Sequence, residues 1–177
     1  MGMDFIGPHT FNAGRFLVGF LTLLPFFFIF EYRKIKKKNI FSKKTFFYLI
    51  ILGFVLGVGQ ALQQISLIYT DVANTGVFTV MYVLIVPFIS YFIFSKKIHW
   101  SVWPAAIFCV LGGLLLSELK NMLVRYGDML GVLSAFCWAF HIIYISKTIK
   151  FFNFPITIAT AQCFIAFLFT VLPMIVY

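Results

Sequence analysis

Residues 59–94, GQALQQISLIYTDVANTGVFTVMYVLIVPFISYFIF, decide the fold. Two apolar arms meet at a short polar tip, Tyr69-Thr70-Asp71-Val72-Ala73-Asn74. Extended to its charged boundary, each arm is long enough as a helix to cross roughly 30 Å of hydrocarbon. Neither arm is uniformly apolar. Gln60, Gln63 and Gln64 lie on the first, and Thr75, Thr79, Tyr82 and Pro87 lie on the second. An amide costs free energy in lipid unless something pairs with it, so the hairpin is expected to face protein or a cavity.

The rest of the chain shares this character. Hydrophobic residues make up 62% and charged residues 11% of the 177, far from the quarter of charged residues usual in a soluble domain. The net charge of +9 does not point to nucleic acid. Lysine and arginine fall in short clusters between apolar runs, and no stretch interleaves bases with aromatics on an exposed face. Cys109, Cys137 and Cys163 all lie inside apolar runs. With no C-x-x-C and no His/Cys set at metal-ligand spacing, they read as small buried hydrophobes. The opening MGMDFIGPHTFNAGRF lacks the pattern of a signal peptide, and Ile6 stands where a myristoylation site wants Ser or Thr.

Six candidate spans follow from the apolar runs: about Thr10–Phe30, Thr45–Tyr69, Ala73–Phe94, Ser101–Ser117, Asp128–Ile145 and Pro155–Tyr177. The fourth and fifth are short, but Trp100, Trp103 and Tyr126 at their flanks suit interfacial anchoring. Eleven of the fourteen bases fall on one side. They are Arg33, Lys34, Lys36, Lys37, Lys38, Lys43 and Lys44 in EYRKIKKKNIFSKK, Lys96 and Lys97 after the third span, and Lys147 and Lys150 after the fifth. The positive-inside rule makes that side cytoplasmic and the first residues of the chain external, in the plasma (bacterial inner) membrane.

An internal repeat adds to this. Ala13-x-x-Phe16-x-x-x-x-x-Thr22-x-x-Pro25 recurs as Ala161-x-x-Phe164-x-x-x-x-x-Thr170-x-x-Pro173, at an offset of 148. The first copy enters from outside and the second from the cytoplasm, so the copies are inverted, as in alternating-access transporters. A five-helix unit is then expected. Residues 1–120 would be a first repeat lacking its first helix, and residues 121–177 the first two helices of a second.

In order and spacing the chain resembles the EamA-type transporters of the drug/metabolite transporter superfamily. The resemblance rests on Arg15-Phe16, on Ala61 through Thr70 (ALQQISLIYT), on Asn74-Thr75-Gly76-Val77-Phe78 and on Val83-Leu84-Ile85-Val86-Pro87. It continues in Gly112-Gly113-Leu114-Leu115, Gly127-Asp128-x-x-Gly131 and Ala135-x-x-Trp138-Ala139. It implies ten helices in two inverted repeats and the movement of small metabolites. One departure is Ser95-Lys96-Lys97, where the family often has Gly-Glu-Arg.

The candidate solute-binding residues come from helical spacing. Gln60, Gln63 and Gln64 share a face, where they either line a polar path or bond helices together. Thr79 and Tyr82 join them from the third span. On the fifth, Ser134, Trp138, His141 and Tyr144 share a face; Trp138 could stack on an organic ligand, and His141 is the one intramembrane residue of a type whose unperturbed pKa lies near neutrality. Buried structural roles are the alternative for both. Pro87 removes a backbone donor and frees a carbonyl near Val83, and Pro25 does the same in the first span, so each is a candidate helix kink. Gly53, Gly57, Gly127 and Gly131 read as packing positions. Arg15 either guides an anionic group or snorkels to the interface.

All five acids, Asp4, Glu31, Asp71, Glu118 and Asp128, lie in loops or at span ends. No proton relay of the Asp/Glu type is therefore expected within this stretch, and no catalytic set, metal site or cofactor is implied. The fold class is an all-α polytopic bundle. The function that the resemblance implies is secondary transport, as an exporter, of small metabolites, amino acids or drug-like solutes by alternating access. A truncated, non-transporting membrane protein or assembly partner is the alternative. An integral-membrane transferase would want paired acids at one interface, which are not there. The expected partners are the bilayer, a small-molecule solute, and either further helices of the same protein or a second copy, with no nucleic acid.

Overall fold

The computed structural model describes residues 7–38, 42–92, 99–116 and 125–176, and no strand occurs among them. Helix α1 (Pro8–Phe26) passes through a π-helical turn (Phe27–Glu31) into α2 (Tyr32–Lys38). Then follow α3 (Lys43–Tyr69), α4 (Val72–Val80), α5 (Tyr82–Phe92), α6 (Val102–Leu116), α7 (Tyr126–Phe151) and α8 (Pro155–Val176). Helices are what hydrocarbon demands, because every backbone group must find its partner within the segment. Both α1 and α8 begin on a proline, whose missing N–H is harmless in a first turn.

Among the described residues, five stretches are long and apolar enough to cross a membrane: Pro8–Lys37, Lys43–Tyr69, Val72–Phe92, Tyr126–Phe151 and Pro155–Pro173. The expected fourth span, short in the sequence, coincides with α6, which runs 15 residues up to the last described residue there. Ser117, Glu118 and Lys120 lie outside the described residues, as do Asp4, Ser95, Lys96 and Lys97.

Two boundaries differ from the sequence reading. The helix of the first span does not end near Phe30 but continues to Lys38. Half of the expected basic loop is thus helical. The reason is burial: Glu31 and Ile35 are both turned inward, at 6% exposure each. The fifth span runs 26 residues to Phe151 rather than stopping near Ile145. Lys147 does not end it, because its ammonium lies over the Tyr144 ring at 5.8 Å and its stem follows the helix.

Prolines shape two spans. After Pro25 the ladder widens, and the Tyr32 N–H reaches the Phe27 carbonyl five residues back. In the third span the helix is interrupted at Met81, six residues ahead of Pro87. There the Met81 N–H bonds Phe78 and the Leu84 N–H bonds Met81, each three residues back. This tightened turn lies on the N-terminal side of Val83 and Pro87, where a kink is expected.

The chain divides into two compact units, Met1–Ala61 with Tyr144–Tyr177, and Leu62–Ile143. In the first, Ile35, Leu49, Leu52, Phe152 and Ile158 form the core. Helices α1 and α8 run antiparallel, with Phe20 against Phe164 at 5.1 Å and Glu31 against Ile156 and Thr157. Gly53 lets α3 approach α8 closely, since a β-carbon there would lie 2.5 Å from Cβ of Ile165. The Thr22 hydroxyl donates to the Val18 carbonyl at 2.8 Å, and the Thr170 hydroxyl to that of Ala166 at 2.9 Å. These pairs are related by the offset of 148, and each precedes an in-helix proline by three residues.

In the second unit α3, α4 and α7 meet through small residues. A β-carbon on Gly127 would lie 2.8 Å from the Ser66 carbonyl oxygen and from the Thr70 nitrogen. One on Gly131 would lie 3.1 Å from Cβ of Phe78.

Candidate functional site

Where helices approach this closely, short hydroxyl side chains do the bonding. In the second unit the buried Ser66 hydroxyl reaches the Gly127 carbonyl at 2.7 Å and Thr75 Oγ1 at 3.0 Å. Thr79 donates to the Thr75 carbonyl at 2.7 Å and lies 3.5 Å from the Ser134 hydroxyl, which itself donates to Gly131 at 2.7 Å. The hydroxyls of Thr79 and Ser134 are thereby engaged within the helices. This fits the gluing role that polar side chains take in membranes.

The network ends at a buried carboxylate. Asp128, 4% exposed, accepts from the Thr70 hydroxyl at 2.6 Å through Oδ1. Its Oδ2 accepts from the Arg125 N–H at 2.8 Å, closing the first turn of α7. Beside it Arg125 and Asp71 form an exposed ion pair at 2.9 Å, a kind that contributes little in water. Thr70→Val is expected to leave Asp128 short of a charge-assisted hydrogen bond and to cost about 2 kcal/mol. Thermal unfolding of the detergent-solubilised protein reads this. Thr70→Ser should restore most of it, and equal melting of Thr70→Val and wild type would contradict the assignment.

Among the expected binding residues of this unit, Gln64 and His141 are buried, while Gln63, Tyr82 and Trp138 are half-buried. The Trp138 and His141 rings meet edge to face, with centroids 5.9 Å apart. The Trp138 indole N–H is buried and has no acceptor among the described residues. An unmet donor in an apolar bundle is costly, and in native proteins it asks for an explanation. Tyr82, Val86, Pro87 and Ser90 of α5, with Val102 and Ile142, line an open pocket of about 370 Å³. Tyr82 and Pro87 are the two expected residues it contains.

In the first unit Gln60 is buried, and its backbone carbonyl accepts from Asn12 Nδ2 at 3.4 Å. Tyr144 is half-buried, 6.0 Å from the Tyr48 ring, and its carbonyl accepts from Thr148. Arg15 is exposed over the Phe11 ring at 5.8 Å. The sequence reading passed over Asn12, which is fully buried with Oδ1 unpaired among the described residues. It carries the same signal as the glutamines, an amide inside an apolar run.

Glu31 was also missed as a structural group. Its carboxylate caps α8, accepting from the Ile156 N–H at 3.2 Å, the Thr157 N–H at 2.7 Å and the Thr157 hydroxyl at 2.5 Å. A carboxylate at a helix N-terminus meets both orphan donors and the positive end of the helix dipole.

Comparison with known proteins bears on the same chain. The model of the EamA-like transporter family matches residues 1–118. An uncharacterized transporter of Archaeoglobus fulgidus is 24% identical over 172 residues, covering 95% of this chain and 49% of the relative. The chain thus spans about half the length of that curated relative. No solved structure matches it.

Proposed function

The chain belongs to the EamA-like transporter family, and we propose that it serves as part of a secondary transporter exporting a small polar organic solute by alternating access. The observation that carries this reading is the indole N–H of Trp138, buried and without an acceptor among the described residues, beside His141 inside a membrane-spanning helix. It calls for a hydrogen-bond acceptor, such as a carbonyl or carboxylate oxygen, on a ligand with a face that aromatic rings can contact. In this reading Gln63 and Gln64 on α3, with Tyr82 and the engaged hydroxyl of Thr79 from the third span, supply the further polar groups. Gln60 and Tyr144, about a turn away along α3 and α7, belong to the first unit. Small metabolites, amino acids and drug-like solutes have the required chemistry.

In this reading residues 1–120 belong to one repeat and residues 121–177 open an inverted second one, the remaining helices coming from the full-length protein. The boundary near residue 120 lies outside the described residues. The matched Thr22 and Thr170 bonds and the half-length match to the relative support it. The basic side faces the cytoplasm, by the charge asymmetry.

The test is ligand-dependent stabilisation. A panel of amino acids and small heterocyclic metabolites is added to purified full-length protein, and melting is followed. A solute at a hundredfold excess over its Kd stabilises by about 2.7 kcal/mol. Trp138→Phe keeps the ring and removes the N–H, and is expected to weaken that solute about tenfold. Gln63→Leu should weaken it as well. A solute that stabilises both variants as strongly as wild type would overturn the assignment of these residues.

A further inference from the structure

We propose that the basic end of the first unit is a docking surface for the anionic headgroups of the surrounding bilayer. The continuation of the first span into α2 carries Arg33, Lys34, Lys36 and Lys37, all exposed, while Ile35 between them is buried against Leu49, Leu52, Phe152 and Ile158. That anchor holds the helix to the end of the bundle and turns the four bases outward. They are not the ends of a loose loop. Lys43 and Lys44 open α3 at the same end, and Lys147 and Lys150 lie in the last turns of α7. Two of these bases sit over rings, Lys44 over Phe151 at 5.4 Å and Lys147 over Tyr144 at 5.8 Å.

None of Arg33, Lys34, Lys36 and Lys37 is paired with an acid among the described residues of this unit. Among its described residues Glu31 is the sole acid, and its carboxylate is buried in the cap of α8. Attraction is therefore available to an external anion. What selects a lipid rather than a soluble anion is the neighbouring surface. Phe28, Ile29 and Phe30 are exposed just before the bases of α2, Phe46 and Phe47 just after Lys43 and Lys44, and Phe151 just after Lys150. Ile29 and Arg33 are four residues apart, about 6 Å along the axis. On the first span and on α3, then, exposed apolar side chains on the membrane side lie within about a turn of cations at the end of the helix. Clusters of this kind immediately beside a spanning helix attract anionic lipid at about 1 kcal/mol per base.

The experiment titrates phosphatidylglycerol, phosphatidylcholine and inorganic phosphate separately into the purified full-length protein in neutral detergent and follows melting. Phosphatidylglycerol is expected to stabilise at about tenfold lower concentration than phosphatidylcholine. Raising salt from 50 to 500 mM should remove most of that preference, since exposed charges are screened within a few ångströms. Arg33→Gln, Lys34→Gln, Lys36→Gln and Lys37→Gln combined should also abolish it, whereas Arg15→Gln should not. Equal response to both lipids, a preference insensitive to salt, or equal stabilisation by inorganic phosphate would overturn the proposal. The salt arm uses the wild-type protein, so the proposal stays exposed even if the combined variant does not fold. Solute binding is not read at any point, so this result and that of the transport reading are independent.

Discussion

Gly127→Ala is expected to lower stability by about 3 kcal/mol, the upper range for overpacking a tight contact. The added methyl would lie 2.8 Å from the Ser66 carbonyl oxygen and 2.8 Å from the Thr70 nitrogen. Those two atoms are hydrogen-bonded to each other at 3.0 Å and close the last turn of α3. A side chain can rotate away from a methyl, but a backbone hydrogen bond cannot. Moving α7 outward instead would stretch the Ser66 bond to the Gly127 carbonyl and the Thr70 bond to Asp128. Melting in detergent should fall by about 10 °C on the usual scaling for chains of this size. Gly14→Ala is the control, because a β-carbon there meets nothing within 4 Å. Alanine favours helix over glycine, so that variant should melt no lower than wild type. Equal melting of Gly127→Ala and Gly14→Ala would show that α3 and α7 are not in this contact.

Glu31→Ala is expected to cost about 4 kcal/mol, through loss of charge-assisted bonds and the stranding of buried donors. Two N–H groups at the start of α8 and the Thr157 hydroxyl all end on this one carboxylate. Glu31→Gln retains an acceptor but brings an NH2 that cannot accept, and it gives up the charge at the positive end of the helix. About half the loss should therefore remain in that variant. Hydrogen exchange at Ile156 and Thr157 checks the assignment locally. Both amides should exchange much faster in Glu31→Ala, while the amides of α7 stay protected. Unchanged protection at Ile156 and Thr157 would contradict the cap.

These two positions also mark what the sequence makes legible. The apolar arms around Thr70–Asp71 announce a membrane hairpin, because helix length against hydrocarbon thickness is a local property. The small residues Gly53, Gly57, Gly127 and Gly131 declare close packing, again without knowing the partner. Glu31 is different. It stands at the edge of a basic run and looks like a solvated loop residue, whereas its partners lie 125 and 126 positions away. No local pattern reveals that pairing, and without it the extension of the helix to Lys38 is also hidden. Lys147 and Lys150 mislead in a similar way: charge reads as the end of a span, but a long stem over an aromatic ring lets the helix continue. For the candidate site, the spacing correctly puts Trp138 and His141 within reach of each other. It does not reveal that the Thr79 hydroxyl is already engaged with Thr75 and Ser134, since that depends on how α4 and α7 meet.

Solute exchange is the most direct measurement of the central claim. Full-length protein is reconstituted in liposomes loaded with unlabelled candidate solute, and uptake of the labelled solute is followed. An alternating-access carrier predicts uptake that saturates, is accelerated by the internal solute, and falls at least tenfold in Trp138→Phe at matched protein level. Uptake equal to that of protein-free liposomes for every candidate solute would contradict the account, as would flux that neither saturates nor responds to the internal load.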